Sequence, residues 1–325
     1  MNNDAAVDEH QPAGELDAQT EIMLARLYAD PFLDPENMTP AQMRAAFDAF
    51  YAKVGIPAVD ADVSEAQFDV QGGAVRLRIY KPVGADAPLP VVVFYLGGGL
   101  VMGSHDSYDG VCRRLCKASG AIVVSVAYRQ PPEHPFPAAL DDSFAALVWT
   151  REHAKDLGGD PDRIAVAGES GGGMLAAVVS HLALDRGGPP IAFQLLIYPA
   201  VGVSGQGSSM RDFADGYWFA PSQLDWLYGI YAGSEDPKDP LISPIFRKEL
   251  AGLPPAYIVV ANYDILRDDI LSYAGALRAA GVPTEVTAYP TIHGFVCMGG
   301  VIDAAGEALD AAGRALASAC AAGRS

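Results

Sequence analysis

The sequence predicts an α/β domain: a mostly parallel sheet with helices on both faces. Three observations predict it. The runs 91–95 and 121–126 are continuous and rich in β-branched residues, as in parallel strands covered on both sides. Further strand-like runs at 163–167, 192–198, 256–261 and 284–289 alternate with helix-like stretches at 107–119, 138–156, 171–186, 268–280 and 303–321, the rhythm of βαβ units. Between one such strand and the next helix stands Gly168-Glu169-Ser170-Gly171-Gly172, a G-x-S-x-G at a strand–turn–helix junction. With 325 residues, half of them hydrophobic, the chain can bury the core this fold needs.

In chain order, residues 1–55 are acidic and helical in pattern, with candidate helices at 22–28 and 43–51. Thr39-Pro40 before the second suits a cap followed by a proline in the first turn. From about residue 66 the pattern turns to strands, and 75–80 alternates as a half-exposed strand does. Residues 203–250 break the rhythm, carrying Trp218, Phe219, Trp226, Tyr228 and Tyr231 without a strand. The expected organisation is a helical cap segment at 1–55 and a catalytic domain at 56–325, with 203–250 inserted as a second part of the cap.

Composition narrows the partners. Forty acidic against 22 basic residues give a net charge of −18. Nucleic acid and anionic membrane both call for a basic surface, so neither is expected. The segment from Met1 to His10 has no basic stretch followed by an apolar one, and no apolar run reaches membrane-spanning length. The four cysteines, Cys112, Cys116, Cys297 and Cys320, are too sparse for a disulfide framework and suit a reducing cytoplasm. Cys112 and Cys116 have metal-compatible spacing, but no His or Cys partner motif accompanies them. Two ordinary thiols are expected, and no metal.

The chemistry centres on Ser170. A serine on so sharp a turn takes a strained backbone, and flanking glycines leave room for it. Leu96-Gly97-Gly98-Gly99 follows the strand 91–95, and glycines there let backbone N–H groups approach a developing oxyanion. A phosphate loop is the weaker alternative, because G-x-G-x-x-G and a Lys-Ser/Thr pair are both missing. Among six histidines, His181 lies eleven residues along the helix that Ser170 opens, roughly 16 Å away at 1.5 Å per residue. His10 falls in the terminus, His153 on a polar helix and His134 in a proline-rich loop; His105 is a minor candidate. His293, in a loop just after the strand 284–289, is the expected base. Asp264, after the strand 256–261, is the expected partner that fixes its tautomer, with Asp268 and Asp269 as competitors. Ser170, Asp264 and His293 follow one another in the order of α/β-hydrolases.

In Tyr95 to Gly99, Gly103-Ser104, Tyr128-Arg129, Pro132 to Ala138, Gly168 to Gly172, Tyr263-Asp264, Leu266 to Asp268 and His293-Gly294-Phe295, the chain from about residue 75 onward resembles the hormone-sensitive-lipase family of microbial carboxylesterases. The resemblance implies an α/β-hydrolase fold with a helical cap and hydrolysis of short- to medium-chain esters without metal or organic cofactor. It implies backbone donors at Gly98, Gly99 and Gly171, and a structural role for 128–138 with Glu133 as a buried scaffold carboxylate. The expected partner is a small-molecule ester, the expected state monomer or homodimer. Two residues depart from the pattern. Leu96 stands where the family has a histidine that tethers the oxyanion loop, so packing of Leu96 is expected to hold the loop here. Glu169 stands where one branch has Asp. Leu96, Leu100, Tyr217, Trp218 and Phe219 are the expected pocket residues, although aromatics in an insertion serve equally well as cap core. A non-catalytic binding protein on the same fold, and a lactonase, amidase or thioesterase with the same triad, remain alternatives.

Overall fold

The structure, a computed structural model, describes residues 14–33, 37–86, 88–205 and 207–322. His10 and the start of the expected cap segment lie outside them. Two helices open the chain, α1 (Ala18–Ala29) and α2 (Pro40–Val54). The Thr39 hydroxyl accepts from the Gln42 amide while the Gln42 side chain accepts from that of Thr39, a capping box with proline in the first turn. Next come β1 (Asp62–Val70), β2 (Gly73–Lys81), β3 (Leu89–Tyr95), α3 (Asp109–Ser119), β4 (Ile122–Ala127), α4 (Ala138–His153), β5 (Gly159–Glu169), α5 (Gly171–Asp185) and β6 (Phe193–Ile197). The segment between β6 and the next strand carries α6 (Ser209–Asp212) and α7 (Pro221–Ala232). The chain closes with β7 (Ala256–Tyr263), α8 (Arg267–Ala279), β8 (Thr284–Ile292) and α9 (Asp303–Ala322).

Among the described residues the strands form one eight-stranded sheet in the order β1-β2-β4-β3-β5-β6-β7-β8. β2 runs antiparallel to β1 and β4; every other pair is parallel. β3 shows why its sequence is continuous: Val91 to Tyr95 are all buried, with helices on both faces. α5 is buried almost all round, which accounts for its weak polar face. β1 is longer than the sequence suggests. Its side chains are mostly exposed, so burial imposes no clear apolar alternation on it.

The sheet's carboxyl edge gathers the loops that follow β3, β5, β7 and β8, the place where open α/β sheets hold ligands. The N-terminal segment and the insertion meet above that edge. The Phe32 ring stacks on Phe50 with centroids 3.9 Å apart and faces Trp218 at 6.2 Å. The Trp218 amide donates to the Tyr28 hydroxyl at 3.1 Å.

Candidate active site

Ser170 lies at the β5–α5 turn with φ 53° and ψ −117°, outside the ordinary regions for a residue with a side chain. The turn is over-determined. The Ser170 amide donates to Ile197 O at 2.9 Å, and the Ser170 carbonyl accepts from Met174 N and Ala200 N. A side chain at Gly172 would strike the carbonyl oxygens of Tyr95 and Leu96, and one at Gly168 would strike the Gly172 carbonyl. The glycines are therefore what lets β3, β5 and α5 converge beneath the serine.

The structure brings Ser170, His293 and Asp264 into one line. Ser170 Oγ is 2.8 Å from His293 Nε2, and His293 Nδ1 is 2.6 Å from Asp264 Oδ2. Asp264 Oδ1 also accepts from the Leu266 amide at 2.9 Å, which fixes the carboxylate. The imidazole is held between two rings, Phe219 with centroids 4.6 Å away and Tyr198 at 4.9 Å. Burial alone favours neutral imidazole, but the charge and hydrogen bond of Asp264, with Glu169 nearby, outweigh it and raise His293 above the ordinary histidine value. Asp268 and Asp269 serve the insertion instead. Asp268 accepts from Ser208 N and Ser209 N at 2.7 and 2.9 Å, and Asp269 accepts from the Ser204 amide and hydroxyl.

Three other described histidines have partners elsewhere. His181 Nε2 meets the Tyr273 hydroxyl at 2.9 Å in the core, where burial lowers its pKa to about 3. His105 Nδ1 meets Ser125 Oγ, and burial lowers it to about 4. His153 stacks on Trp149. Cys112 and Cys116 are free and buried on α3, with burial pushing the Cys116 thiol up to about 12. Among the described residues no three His, Cys, Asp or Glu side chains are grouped to hold a metal ion, and no helix is long and apolar enough to cross a membrane.

Gly98 and Gly99 sit in the left-handed region at φ 83° and 62°. Both line a cavity of about 60 Å³, together with Ser170, His293, Glu169, residues of α2 and residues 218–227 of the insertion. A second cavity of about 30 Å³ opens on the other side of Ser170, lined by Gly99, Leu100, Gly171, Met174, Leu224, Tyr228 and Tyr231 among others.

Of the expected pocket residues, Trp218 and Phe219 line the larger cavity, and Leu100 and Phe219 the smaller. Leu96 and Tyr217 line neither. Leu96 is 1 % exposed, packed into the core beneath the loop. Tyr217 stacks on Tyr263 at 5.1 Å and meets Phe213 edge-on. Glu133 is also not the buried carboxylate expected: its side chain is 53 % exposed and ion-paired with Arg44. Packing of Leu96 is not the loop's only anchor, since its carbonyl accepts from the Tyr128 hydroxyl at 2.7 Å.

Residues beyond the sequence reading also shape the site. Glu169 is 3 % exposed, and its Oε2 accepts from the Tyr108 hydroxyl at 2.7 Å. Burial raises its pKa against the opposing pull of His293 and of the Tyr108 and Tyr198 hydroxyls. A side chain at Gly97 would strike the Glu169 carboxylate, so the glycine loop lies directly over it. The sequence marked Glu169 by its place beside Ser170 and by standing where one branch of the family has Asp, without giving it a role. Arg44 and Gln130, which bond to the same loop from other parts of the chain, carried no such mark.

A family model described as alpha/beta hydrolase fold matches residues 92–297. The chain is 45 % identical over 251 residues to esterase LipI of Mycobacterium tuberculosis (strain ATCC 25618 / H37Rv), covering 76 % of this chain and 78 % of that one. It is 33 % identical over 300 residues to ethyl acetate hydrolase of Pseudomonas putida, covering 90 % and 94 %. Among solved structures, ester-hydrolase EH1AB1 from the metagenome of Lake Arreo, complexed with a derivative of bipyridine phosphonate, superimposes with a TM-score of 0.89 at 35 % identity, covering 93 % of this chain and 98 % of that one.

Proposed function

Because the chain belongs to the α/β-hydrolase fold family, in its hormone-sensitive-lipase-like branch, we propose that it is a serine carboxylesterase in which Ser170 is the nucleophile, His293 the general base and Asp264 its orienting acid. The hydrogen-bonded line from Ser170 through His293 to Asp264, opening on two cavities, carries this reading. Ser170 Oγ adds to the ester carbonyl as His293 Nε2 takes its proton. Asp264 stabilises the imidazolium, and the amides of Gly98, Gly99 and Gly171 receive the oxyanion. His293 then returns the proton to the departing alkoxide, leaving an acyl group on Ser170. Water, deprotonated by His293, releases the acid and restores the serine.

Proton return assigns the cavities. The leaving oxygen must lie beside His293, which lines the larger cavity, so the alcohol belongs there and the acyl chain in the smaller one. At about 10–15 Å³ per water, the smaller cavity holds about two or three waters, the room of a short acyl chain. The N-terminal segment and the insertion 203–250 act as the cap: residues of both line the larger cavity, and insertion residues line the smaller. The free, buried cysteines support a cytoplasmic setting.

Incubation with a fluorophosphonate, then assay of esters, lactones and amides side by side, tests the reading. Labelling of Ser170 and preference for acetate to hexanoate esters are expected. No labelling, or faster turnover of lactones, amides or long-chain emulsions, would refute it. Tyr231→Ala should open the end of the acyl cavity. With each buried CH₂ worth about 0.8 kcal/mol, the octanoate-to-butyrate ratio of kcat/KM should rise by about tenfold or more. An unchanged ratio would reverse the assignment of the cavities.

The pH profile follows from His293. Its pKa is raised, so it stays protonated to higher pH than a free histidine, and the acid limb of kcat/KM should lie above about 6.5. Glu169 contributes to that rise, so Glu169→Gln should move the limb to lower pH. A limb that stays in place, or moves up, would show that Glu169 does not act on the imidazole.

A further inference from the structure

On the reading of Ser170 as nucleophile and the loop amides as oxyanion donors, we infer that Arg44, from the N-terminal helix α2, is a positioning residue for the oxyanion loop, locked in place by Glu133. The direction of the Gly99 donor is set by one peptide plane. The Gly98 carbonyl accepts from Met102 N at 3.0 Å and from Val101 N at 3.3 Å. A trans peptide is planar, so the amide hydrogen of Gly99 points opposite to that carbonyl. Whatever holds the turn 98–102 therefore aims the Gly99 donor.

The turn is gripped by its outer carbonyls. Gln130 Nε2 donates to Met102 O at 2.7 Å and to Gly103 O at 3.1 Å. Arg44 Nε donates to Val101 O at 2.8 Å. Gln130 comes from the loop after β4 and Arg44 from a helix of the cap, 57 residues before the carbonyl it holds. The rest of the guanidinium is committed. Arg44 makes a two-pronged contact with the Glu133 carboxylate at 2.9 and 2.7 Å, and its Nη2 also reaches Pro131 O at 2.7 Å. A planar fork with four bonds on three partners has one orientation, and that orientation points Nε at the loop. Arg44 beside Glu133 also holds that carboxyl down to about 2, so the pair stays charged throughout the working range. An exposed ion pair alone adds little to stability. What this one does is direct a donor onto the turn that carries Gly99.

The test compares the full-length protein with Arg44→Met and Glu133→Gln on a p-nitrophenyl butyrate assay, with a trifluoromethyl ketone as reversible inhibitor. The ketone's adduct with the serine carries an oxyanion and reads the hole directly. Loss of a whole donor costs roughly 10²–10³ in kcat, and a misaimed donor loses part of that. Arg44→Met should lower kcat by about 10- to 100-fold with KM changed less than about threefold, and weaken the ketone in proportion to kcat/KM. Glu133→Gln should shift both in the same direction by less, and it decides the matter if Arg44→Met does not fold. Unchanged kcat and ketone affinity in the folded variants, with only KM or the melting temperature altered, would make Arg44 a fastener of the cap and overturn the inference. Should the unmodified protein fail to take up a fluorophosphonate at Ser170, the nucleophile reading fails first and this inference with it, an outcome the variants alone could not mimic.

Discussion

Ser170→Ala should lower kcat on an activated short-chain ester by roughly 10⁴–10⁶-fold, and His293→Ala by a similar amount. The two side chains act as a unit across a 2.8 Å contact: without the base the hydroxyl is a poor nucleophile, and without the hydroxyl the base has nothing to activate. The double variant should therefore be little worse than either single one. Residual turnover in all three would come from the backbone donors and the cavities. Circular dichroism should be unchanged, since the strained turn is held by backbone contacts and by glycines rather than by the serine hydroxyl. A Ser170→Ala protein that kept a tenth of the activity would dispose of the mechanism.

Asp264→Asn should cost roughly 10⁴-fold in kcat. The carboxylate accepts at 2.6 Å from His293 Nδ1, which leaves Nε2 free to accept from Ser170. An amide in its place can donate to Nδ1, driving the ring proton to Nε2, the wrong atom. Asp268→Asn should lose less than about tenfold, because Asp268 holds the amides of Ser208 and Ser209 and not the imidazole. Assayed together at a pH above the acid limb, the two variants separate the acid that faces the histidine from one that only anchors the insertion. Equal losses would take the orienting role away from Asp264.

Much of the fold was written in local pattern. Runs of β-branched residues marked the strands because those strands are buried on both faces, as Val91 to Tyr95 are. That Ser170, Asp264 and His293 lie together was legible for a related reason: each follows a strand directly, so chain position alone puts it at one edge of the sheet. What failed depends on contacts between distant segments. Leu96 follows its strand too, yet it turns into the core, and nothing in its neighbours says so. Tyr217 and Trp218 are adjacent aromatics in the same insertion. One packs on Tyr263 and the other lines a cavity, a difference set by partners 46 and 190 residues away. Glu133 was misplaced because its partner, Arg44, comes from another region of the chain.

The contact between Tyr28 and Trp218 joins points 190 residues apart. Bringing such ends together costs chain entropy that only a completed sheet between them can offset. A contact of this span depends on everything folded between its ends, so local opening there would part the N-terminal segment from the insertion while leaving the sheet intact.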